Sequence, residues 1–461
     1  SAGELKELTE PATGESLARA AMATEADVDR AVEAAQAALA GDWGKTPGPE
    51  RSRLLHALAD ALMANRKELC ELEARNVGKA ISSVKAEFFS AVENFRFYAS
   101  AIASIAGRAN PVGGSLLYYS LKEPVGVAGQ IVPWNYPMMM ATWKLSPALA
   151  AGCSVVLKPD EATPLTALRM AELAAEVGFP PGTINVVPGP GKPTGSHLVA
   201  HPGVDKIAFT GSTAAGMKIA SLCGEQLKRY TLELGGKSAA IILDDADVDA
   251  TLDNLLQVAG LMNNGQACVA QTRVLASRAK YDEVVNGLAT RMEAVKVGDP
   301  AEMDTEVGPL VAERQRDRVE KYIVQGQEEG AEVVVGGGRP AGQDTGWYVE
   351  PTLFAKVTND MRIAQEEIFG PVISAIAFED VDDAVAIAND SSYGLSGSVW
   401  TADAEAGLDI AKRVRTGTFN VNGFMLEPCA PFGGFKQSGV GREGGPEGLA
   451  AYLEDKAINR F

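Results

Sequence analysis

The chain has 461 residues, of which 46% are hydrophobic and 22% charged, a composition typical of a soluble globular protein with two or three domains. Its net charge of −18 argues against a nucleic-acid partner and against an anionic membrane surface, because both bind basic surfaces. Five scattered cysteines, the lack of a secretory leader and the lack of any apolar run of about 18 residues predict a cytoplasmic protein without membrane spans.

In the first half of the chain, helices precede an alternating pattern. Apolar residues recur at helical spacing in the segments 25–39, 50–75 and 86–106. Strands and helices then alternate: strand Val125–Val132, helix 137–151, strand Ser154–Leu157, helix 164–177, strand Thr183–Val187, helix 194–200, strand Lys206–Phe209, helix 214–224 and strand 229–234. Such alternation with short Gly- and Pro-containing connections predicts a doubly wound parallel sheet.

A second alternating set follows Gly235. It comprises strand Ala239–Leu243, helix 247–262, strand 272–276, helix 279–295, helix 311–329, strand Glu332–Val335, strand 372–377, helix 381–388 and strand Ser396–Trp400. We therefore predict two α/β domains that meet near residue 235, a junction at which a cleft commonly forms.

Cys268 and Glu233 lie on opposite sides of that junction, each in a glycine-containing turn. A thiol reacts as thiolate, so a nucleophilic Cys268 needs a group that takes its proton. The chain has only three histidines, none of them near either residue in sequence, which favours a carboxylate as the base. The alternative is that Cys268 is a small buried hydrophobic residue.

Two further segments could bind a nucleotide. The segment 209–216 ends a predicted strand and opens a helix, where backbone N–H groups can hold a pyrophosphate. Gly191 and Gly195 form a loose relative of the dinucleotide fingerprint, and Lys158 and Glu161 could bind ribose hydroxyls. The alternative for the glycines is that strand–helix turns commonly contain glycine for steric reasons. The alternative for Lys158 and Glu161 is that they lie on a solvated turn.

The loop 132–137 holds Asn135 between two prolines after a buried strand, which predicts a fixed, exposed amide donor for an oxyanion. His197 and His201 have the spacing of metal ligands on a helix, but no third ligand follows from the sequence. We therefore interpret the histidines as structural and predict no metal.

Seven motifs occur in order along nearly the whole chain: Pro133-Trp134-Asn135, Lys158-Pro159-x-Glu161, Phe209-Thr210-Gly211-Ser212, Glu233-Leu234-Gly235-Gly236, Gly265-Gln266-x-Cys268, Glu366-Glu367-Ile368-Phe369-Gly370-Pro371 and Pro431-Phe432-Gly433-Gly434-Phe435-Lys436-x-Ser438-Gly439. In these motifs the chain resembles the NAD(P)-dependent aldehyde dehydrogenase superfamily, in its hydrolytic branch. The catalytic set that the resemblance implies is Cys268, Glu233, Asn135 and Lys158. Cys268 would attack the aldehyde, Asn135 would hold the oxyanion, and Glu233 would activate the water that hydrolyses the thioester.

The resemblance also implies NAD as cofactor, with NADP left open, because a carboxylate at Glu161 repels a 2′-phosphate while Lys158 beside it softens that preference. The cofactor-binding residues that it implies are Ile131, Val132, Pro133, Trp134, Lys158, Glu161, Gly191, Gly195, Phe209, Gly211, Ser212, Leu234, Glu367 and Phe369.

The fold implied is α/β, with two doubly wound parallel-sheet domains, one Rossmann-like for the cofactor and one catalytic, plus a small bridging sheet that builds homodimers or homotetramers. The limits expected are 1–106 and 125–235 for the NAD-binding domain, 236–439 for the catalytic domain, and 107–124 and 440–461 for the bridging segment, in which Ser115–Leu121 reads as a strand.

For the substrate, the resemblance implies a tunnel lined by Tyr136, Met139, Met140, Trp143, Ala267, Val269, Met425 and Leu426. These side chains are apolar or aromatic, which predicts a hydrophobic aldehyde, whether aliphatic, aromatic or terpenoid. A semialdehyde would require a cationic residue that we cannot assign, and a betaine-type aldehyde could use Glu427 and aromatic faces. Further alternatives are a CoA-acylating enzyme, against which Glu233 argues, and a catalytically silent binding or structural protein.

Overall fold

The computed structural model describes residues 3–111 and 117–460. Its N-terminal region is a hairpin followed by helices. The strands Leu5–Thr9 and Ser16–Ala21 pair antiparallel and lacked a clear sequence signal. The helical spacing over 50–75 belongs to two helices, because Asn65 leaves helical geometry between them. The helices are Glu25–Ala40, Asp42–Lys45, Gly48–Ala64, Arg66–Val77 and Ile81–Ala101, with a 3-10 turn at Ile102–Ser104.

A six-stranded sheet follows. Across the sheet the order is Gly439–Val440, Arg229–Glu233, Lys206–Thr210, Val127–Ile131, Ser154–Lys158 and Ile184–Val186. Only the first of these strands is antiparallel to its neighbour. The strand order reverses beside Val127–Ile131, which is buried along its whole length. In such sheets, ligands bind outside the carboxyl ends of the strands at the reversal. The helices here are Pro137–Ala151, Leu165–Glu176, Ser196–Ala200 and Thr213–Glu225, with a short turn at Gly191–Gly195.

A seven-stranded sheet forms the second half. Its order is Glu332–Val335, Thr352–Ala355, Val372–Phe378, Arg273–Ser277, Ala239–Ile242, Gly397–Trp400 and Asn420–Val421. Only the edge strand Glu332–Val335 runs antiparallel to its neighbour. The helices here are Val248–Leu256, Tyr281–Ala294, Glu313–Glu328, Arg362–Gln365, Val381–Asn389 and Ala404–Arg413, with short turns at Gln257–Leu261 and Met262–Gly265. The later turn Lys436–Ser438 precedes the helix Gly445–Ala450, which packs against the helix Pro137–Ala151 of the first half. The predicted α/β class with parallel-sheet domains is confirmed.

The third sheet has three antiparallel strands, Ala109–Pro111, Leu117–Pro124 and Leu453–Arg460. The start of the predicted strand, Ser115, lies outside the described residues. Val440, which the sequence placed in the bridging segment, pairs instead with Leu232 in the six-stranded sheet. Across the described ranges, no helix is both long and apolar enough to span a bilayer.

Candidate active site

A cavity of about 870 Å³ lies where the two large sheets meet. Loops that follow the strand ends at Ile131, Thr210 and Glu233 line one side of the cavity, and the loop that carries Cys268 lines the other. The size is typical of a small-molecule site. The cavity therefore brings together Cys268, Glu233 and Asn135, which are 133 positions apart at their extremes (268 minus 135).

Cys268 is partly exposed, and the cysteines Cys70, Cys153 and Cys223 are buried. Burial of its thiol raises its pKa to about 12, with further contributions from the negative charges of Glu367 and Glu233. The backbone N–H groups of Cys268 and Val269 act in the opposite direction. The resting thiol is therefore protonated at neutral pH, and its reaction requires a base or a change in its surroundings.

The loop before Cys268 has an unusual backbone conformation, and amide side chains hold it in place. Asn263 and Asn264 have φ values of 49° and 58°, in the left-handed region. The Asn263 amide donates to the carbonyl of Asn135 at 2.7 Å, and the Asn135 amide donates to the carbonyl of Gln266 at 2.7 Å. Asn135 is only 4% exposed, so the predicted exposed donor is wrong, although the side chain still lines the cavity.

Glu233 ends its strand with a carboxyl group that is 2% exposed and finds no hydrogen-bond partner among the described residues. Burial raises its pKa well above the ordinary value, and the charge of Glu443 raises it further. Lys144 and Arg442 lower it in part. Lys144 forms a buried ion pair with Glu443, so a lysine and a second carboxylate stand next to the candidate base.

Predicted cofactor residues line the cavity as well. The Phe369 ring lies edge-on to Trp134, with centroids 5.2 Å apart. Glu367 accepts the Gly236 N–H at 3.0 Å, and burial raises its pKa to about 7. The Ser212 hydroxyl caps the helix Thr213–Glu225. The predicted cofactor residues on the cavity wall are Pro133, Trp134, Gly211, Ser212, Leu234, Glu367 and Phe369.

Other predicted residues lie outside the cavity wall. Lys158 directs its ammonium group to the carbonyls of Pro159 and Gly189, each at 2.8 Å. Glu161 forms an ion pair with Lys6 at 2.9 Å. The predicted residues that do not line the cavity are Ile131, Val132, Lys158, Glu161, Gly191, Gly195, Phe209 and Ala267. Gly195 lies beside the aliphatic part of the Lys158 side chain. A Cβ added at Gly195 would lie 3.4 Å from it.

An apolar cluster surrounds the thiol. Trp143 lies edge-on to Phe432, with ring centroids 5.0 Å apart. Ala267 belongs to this cluster behind the cavity wall, whereas Glu427 is exposed and does not line the cavity. The predicted tunnel residues that line the cavity are Tyr136, Met139, Met140, Trp143, Val269, Met425 and Leu426.

Sequence reasoning missed one wall of the cavity. Ser83, Glu87 and Ser90 face it from the helix Ile81–Ala101. Their i, i+4, i+7 spacing puts them on one helix face and could have identified them. Glu87 is held by the buried Lys79 at 2.6 Å, so its charge is already paired. Phe424 and Phe432 were missed as well.

The two predicted structural histidines share one acidic neighbour. His197 Nε2 lies 2.6 Å from Asp29 Oδ1, and His201 Nε2 lies 3.4 Å from the same oxygen. Residues 3–111 and 117–460 contain no group of three ligands able to hold a metal. The structural interpretation stays a prediction.

Comparisons with known proteins add to this geometry. A family model described as the aldehyde dehydrogenase family matches residues 1–458. The chain belongs to this family. The geranial dehydrogenase of Castellaniella defragrans is 48% identical over 437 residues, which is 94% of this chain and 90% of that protein. The resemblance inferred from the sequence is thus confirmed.

Solved aldehyde dehydrogenases have the same fold. The NAD+ complex of the Bacillus cereus aldehyde dehydrogenase superposes with a TM-score of 0.97 at 43% identity, covering 99% of this chain and 93% of that one. The betaine aldehyde dehydrogenase of Staphylococcus aureus, also solved with NAD+, has a TM-score of 0.97 at 37% identity, covering 99% and 91%. The chain is therefore an aldehyde dehydrogenase in sequence and in fold.

Proposed function

We propose that the chain oxidises a hydrophobic aldehyde to the carboxylic acid with NAD+, through a thioester on Cys268 that Glu233 helps water to hydrolyse. The observation that carries the proposal is one cavity lined by a thiol, a buried carboxyl group and an amide side chain. These groups correspond to the nucleophile, base and oxyanion donor that acyl chemistry needs.

The cavity wall fits a dinucleotide. Glu367 uses one carboxylate oxygen to accept the Gly236 N–H, which leaves the other able to accept a ribose hydroxyl. Glycine at position 235 lets the Glu367 carboxylate lie against the backbone, because a Cβ there would lie 2.6 Å from the second carboxylate oxygen of Glu367. Trp134 and Phe369 offer flat apolar surface beside it. When bound, NAD+ supplies the acceptor for the hydride.

The residues of the chain have distinct tasks in this reaction. The Cys268 thiol releases its proton to water in the cavity and Sγ bonds to the aldehyde carbon, while the Asn135 amide and the Cys268 backbone N–H hold the oxygen. Glu233 takes a proton from the water that cleaves the thioester, and burial, which raises its pKa, makes it a stronger base than an exposed glutamate. Lys158 and Glu161 are assigned to the adenosine ribose, from outside the cavity wall.

The apolar cluster around the thiol supports an uncharged substrate. Pairing of Glu87 with Lys79 weakens the attraction of that wall for a cationic aldehyde. The geranial dehydrogenase relative acts, by its name, on a terpenoid aldehyde. We accordingly propose aliphatic, aromatic or terpenoid aldehydes over semialdehydes and betaine-type aldehydes.

A substrate panel tests this proposal. We expect kcat/KM for geranial, hexanal and benzaldehyde to exceed that for succinic semialdehyde and betaine aldehyde, with NAD+ favoured over NADP+. The product should be the free acid even when CoA is present. Preference for either charged aldehyde would overturn the substrate class, and acyl-CoA formation would overturn hydrolysis.

We also propose a cytoplasmic homodimer or homotetramer with the domain limits given by the sequence, adjusted at Val440. Leu117 and Leu121, on the three-stranded sheet, are 45% and 41% exposed, which suits an association surface. Light scattering with size-exclusion chromatography should give a mass of two or four chains, and a monomer would contradict the assembly.

A further inference from the structure

A second, much smaller cavity lies in the seven-stranded half, between the start of the strand Ala239–Ile242 and the segment 393–396. Its volume is about 10 Å³, enough for one water-sized particle and too small for phosphate or sulfate. Its polar side chains include Lys237, Arg273, Ser238 and Ser396, each of which is no more than 4% exposed.

Two cations on this cavity wall have no carboxylate partner in the described chain. The Lys237 ammonium forms neither an ion pair nor a hydrogen bond there. Arg273 donates to the carbonyls of Lys237, Ile387 and Ala388 and to Asn359, which are all neutral acceptors. Carboxylates act on these cations only from beyond ion-pair distance, Glu366 and Glu367 on Lys237 and Asp390 on Arg273. Because a buried charge without a contacting counter-charge is costly, the pair of cations favours an anion in the cavity.

The hydroxyl groups of the wall are also arranged to donate. The Ser396 hydroxyl has no partner among the described residues. The Ser238 hydroxyl accepts the Ser396 N–H at 3.2 Å, which leaves its own O–H available. A water accepts only about two hydrogen bonds and must place two hydrogens of its own, whereas an anion accepts from every side.

We propose that this cavity binds one monatomic anion of the halide class, held by the Lys237 ammonium and by the hydroxyl groups of Ser238 and Ser396. The anion offsets one of the two positive charges of Lys237 and Arg273. Without it, burial and the Arg273 charge lower the pKa of Lys237 to about 7, while Glu367 and Glu366 raise it in part. The site is distinct from the active-site cavity and does not depend on the proposed function.

Bromide tests the site directly, because its anomalous scattering distinguishes it from water. We expect an anomalous peak in the cavity in crystals of the full chain grown with bromide. In solution, replacing gluconate by bromide at constant ionic strength should raise the Tm of the wild-type protein. Lys237→Met should lose both the peak and the Tm response, and Ser396→Ala should bind bromide at least tenfold more weakly.

Lys206→Met is the matched control. Lys206 is also a buried lysine, 1% exposed, but it lies in the other large sheet and does not line this cavity. It should keep the wild-type response to bromide. Density without an anomalous signal at saturating bromide, or an equal bromide response in Lys237→Met, would overturn the proposal. The wild-type crystal decides the question even if Lys237→Met fails to fold, and enzyme turnover enters none of these readouts.

Discussion

Replacing Glu233 with glutamine tests the proposed base while keeping the size of the side chain. The carboxyl group is 2% exposed and has no hydrogen-bond partner in the described residues, so the amide breaks no contact. Because burial raises the pKa of Glu233, its carboxyl group holds its proton to a higher pH than an exposed glutamate does. At low pH the substitution therefore replaces an uncharged carboxyl group with an uncharged amide.

The kinetic consequence falls on thioester hydrolysis. Loss of a positioned base slows its step by about 10²- to 10⁴-fold. We expect Glu233→Gln to release about one NADH per active site rapidly in stopped-flow absorbance, followed by very slow turnover. Intact-protein mass spectrometry should then find the acyl group on Cys268.

The same substitution has a pH-dependent effect on stability. A carboxyl group whose folded pKa lies above its unfolded pKa favours folding fully below the unfolded pKa, and this contribution is lost as pH rises through the folded pKa. Between the unfolded-state pKa and the folded-state pKa of Glu233, the free energy of unfolding of the wild-type protein falls with rising pH. Relative to Glu233→Gln it falls by about 1.4 kcal/mol per pH unit. Urea unfolding at pH 5 and pH 8 measures the difference, to which buried acids remote from Glu233 contribute equally in both proteins.

Two results would refute this reasoning. Unchanged turnover in Glu233→Gln would mean that another group activates the water. A stability difference between the two proteins that is the same at pH 5 and pH 8 would mean that Glu233 titrates normally, and that burial does not set its pKa.

Other substitutions test the rest of the site. Cys268→Ser should abolish NADH formation while leaving NAD+ binding, measured by fluorescence quenching, within about threefold, and retained turnover would exclude the nucleophile. Asn135→Ala should lower kcat by about 10²- to 10³-fold, and a change confined to KM would contradict an oxyanion role. Gly265→Ala should lower the free energy of unfolding by at least about 2 kcal/mol, because φ is +73° and a Cβ would lie 2.1 Å from the Gly370 backbone. Gly224→Ala, with nothing within 4 Å of its Cβ, is the control and should not destabilise the protein. Alkylation of Cys268 by iodoacetamide in the ligand-free protein should still accelerate above pH 9, given a pKa of about 12.

What the sequence could predict was what local pattern encodes. Strand and helix alternation gave the two α/β halves, because apolar periodicity and turn residues act over short distances. Cys268 and Glu233 could be singled out since their glycine-containing motifs are contiguous. Their presence in one cavity agrees with the predicted junction near residue 235.

What the sequence could not predict depends on distant partners. Lys144 and Glu443 are 299 positions apart, and the sequence around each of them does not indicate that they form a pair. The Asn263 amide reaches the Asn135 carbonyl, 128 positions away, and nothing local in the sequence indicates that contact. The break at Asn65 between two helices could not be located from the sequence, because apolar spacing continues through it.

The short strand Gly439–Val440 has a consequence for biosynthesis. It covers the edge of the six-stranded sheet beside Glu233, although it is encoded near the end of the chain. On the ribosome, the first 235 residues emerge with that edge uncovered, and it stays so until about 200 more residues have been translated, on the order of ten to forty seconds. A fragment that ends at residue 235 should therefore expose a strand edge that invites aggregation, so the two halves of the enzyme mature together.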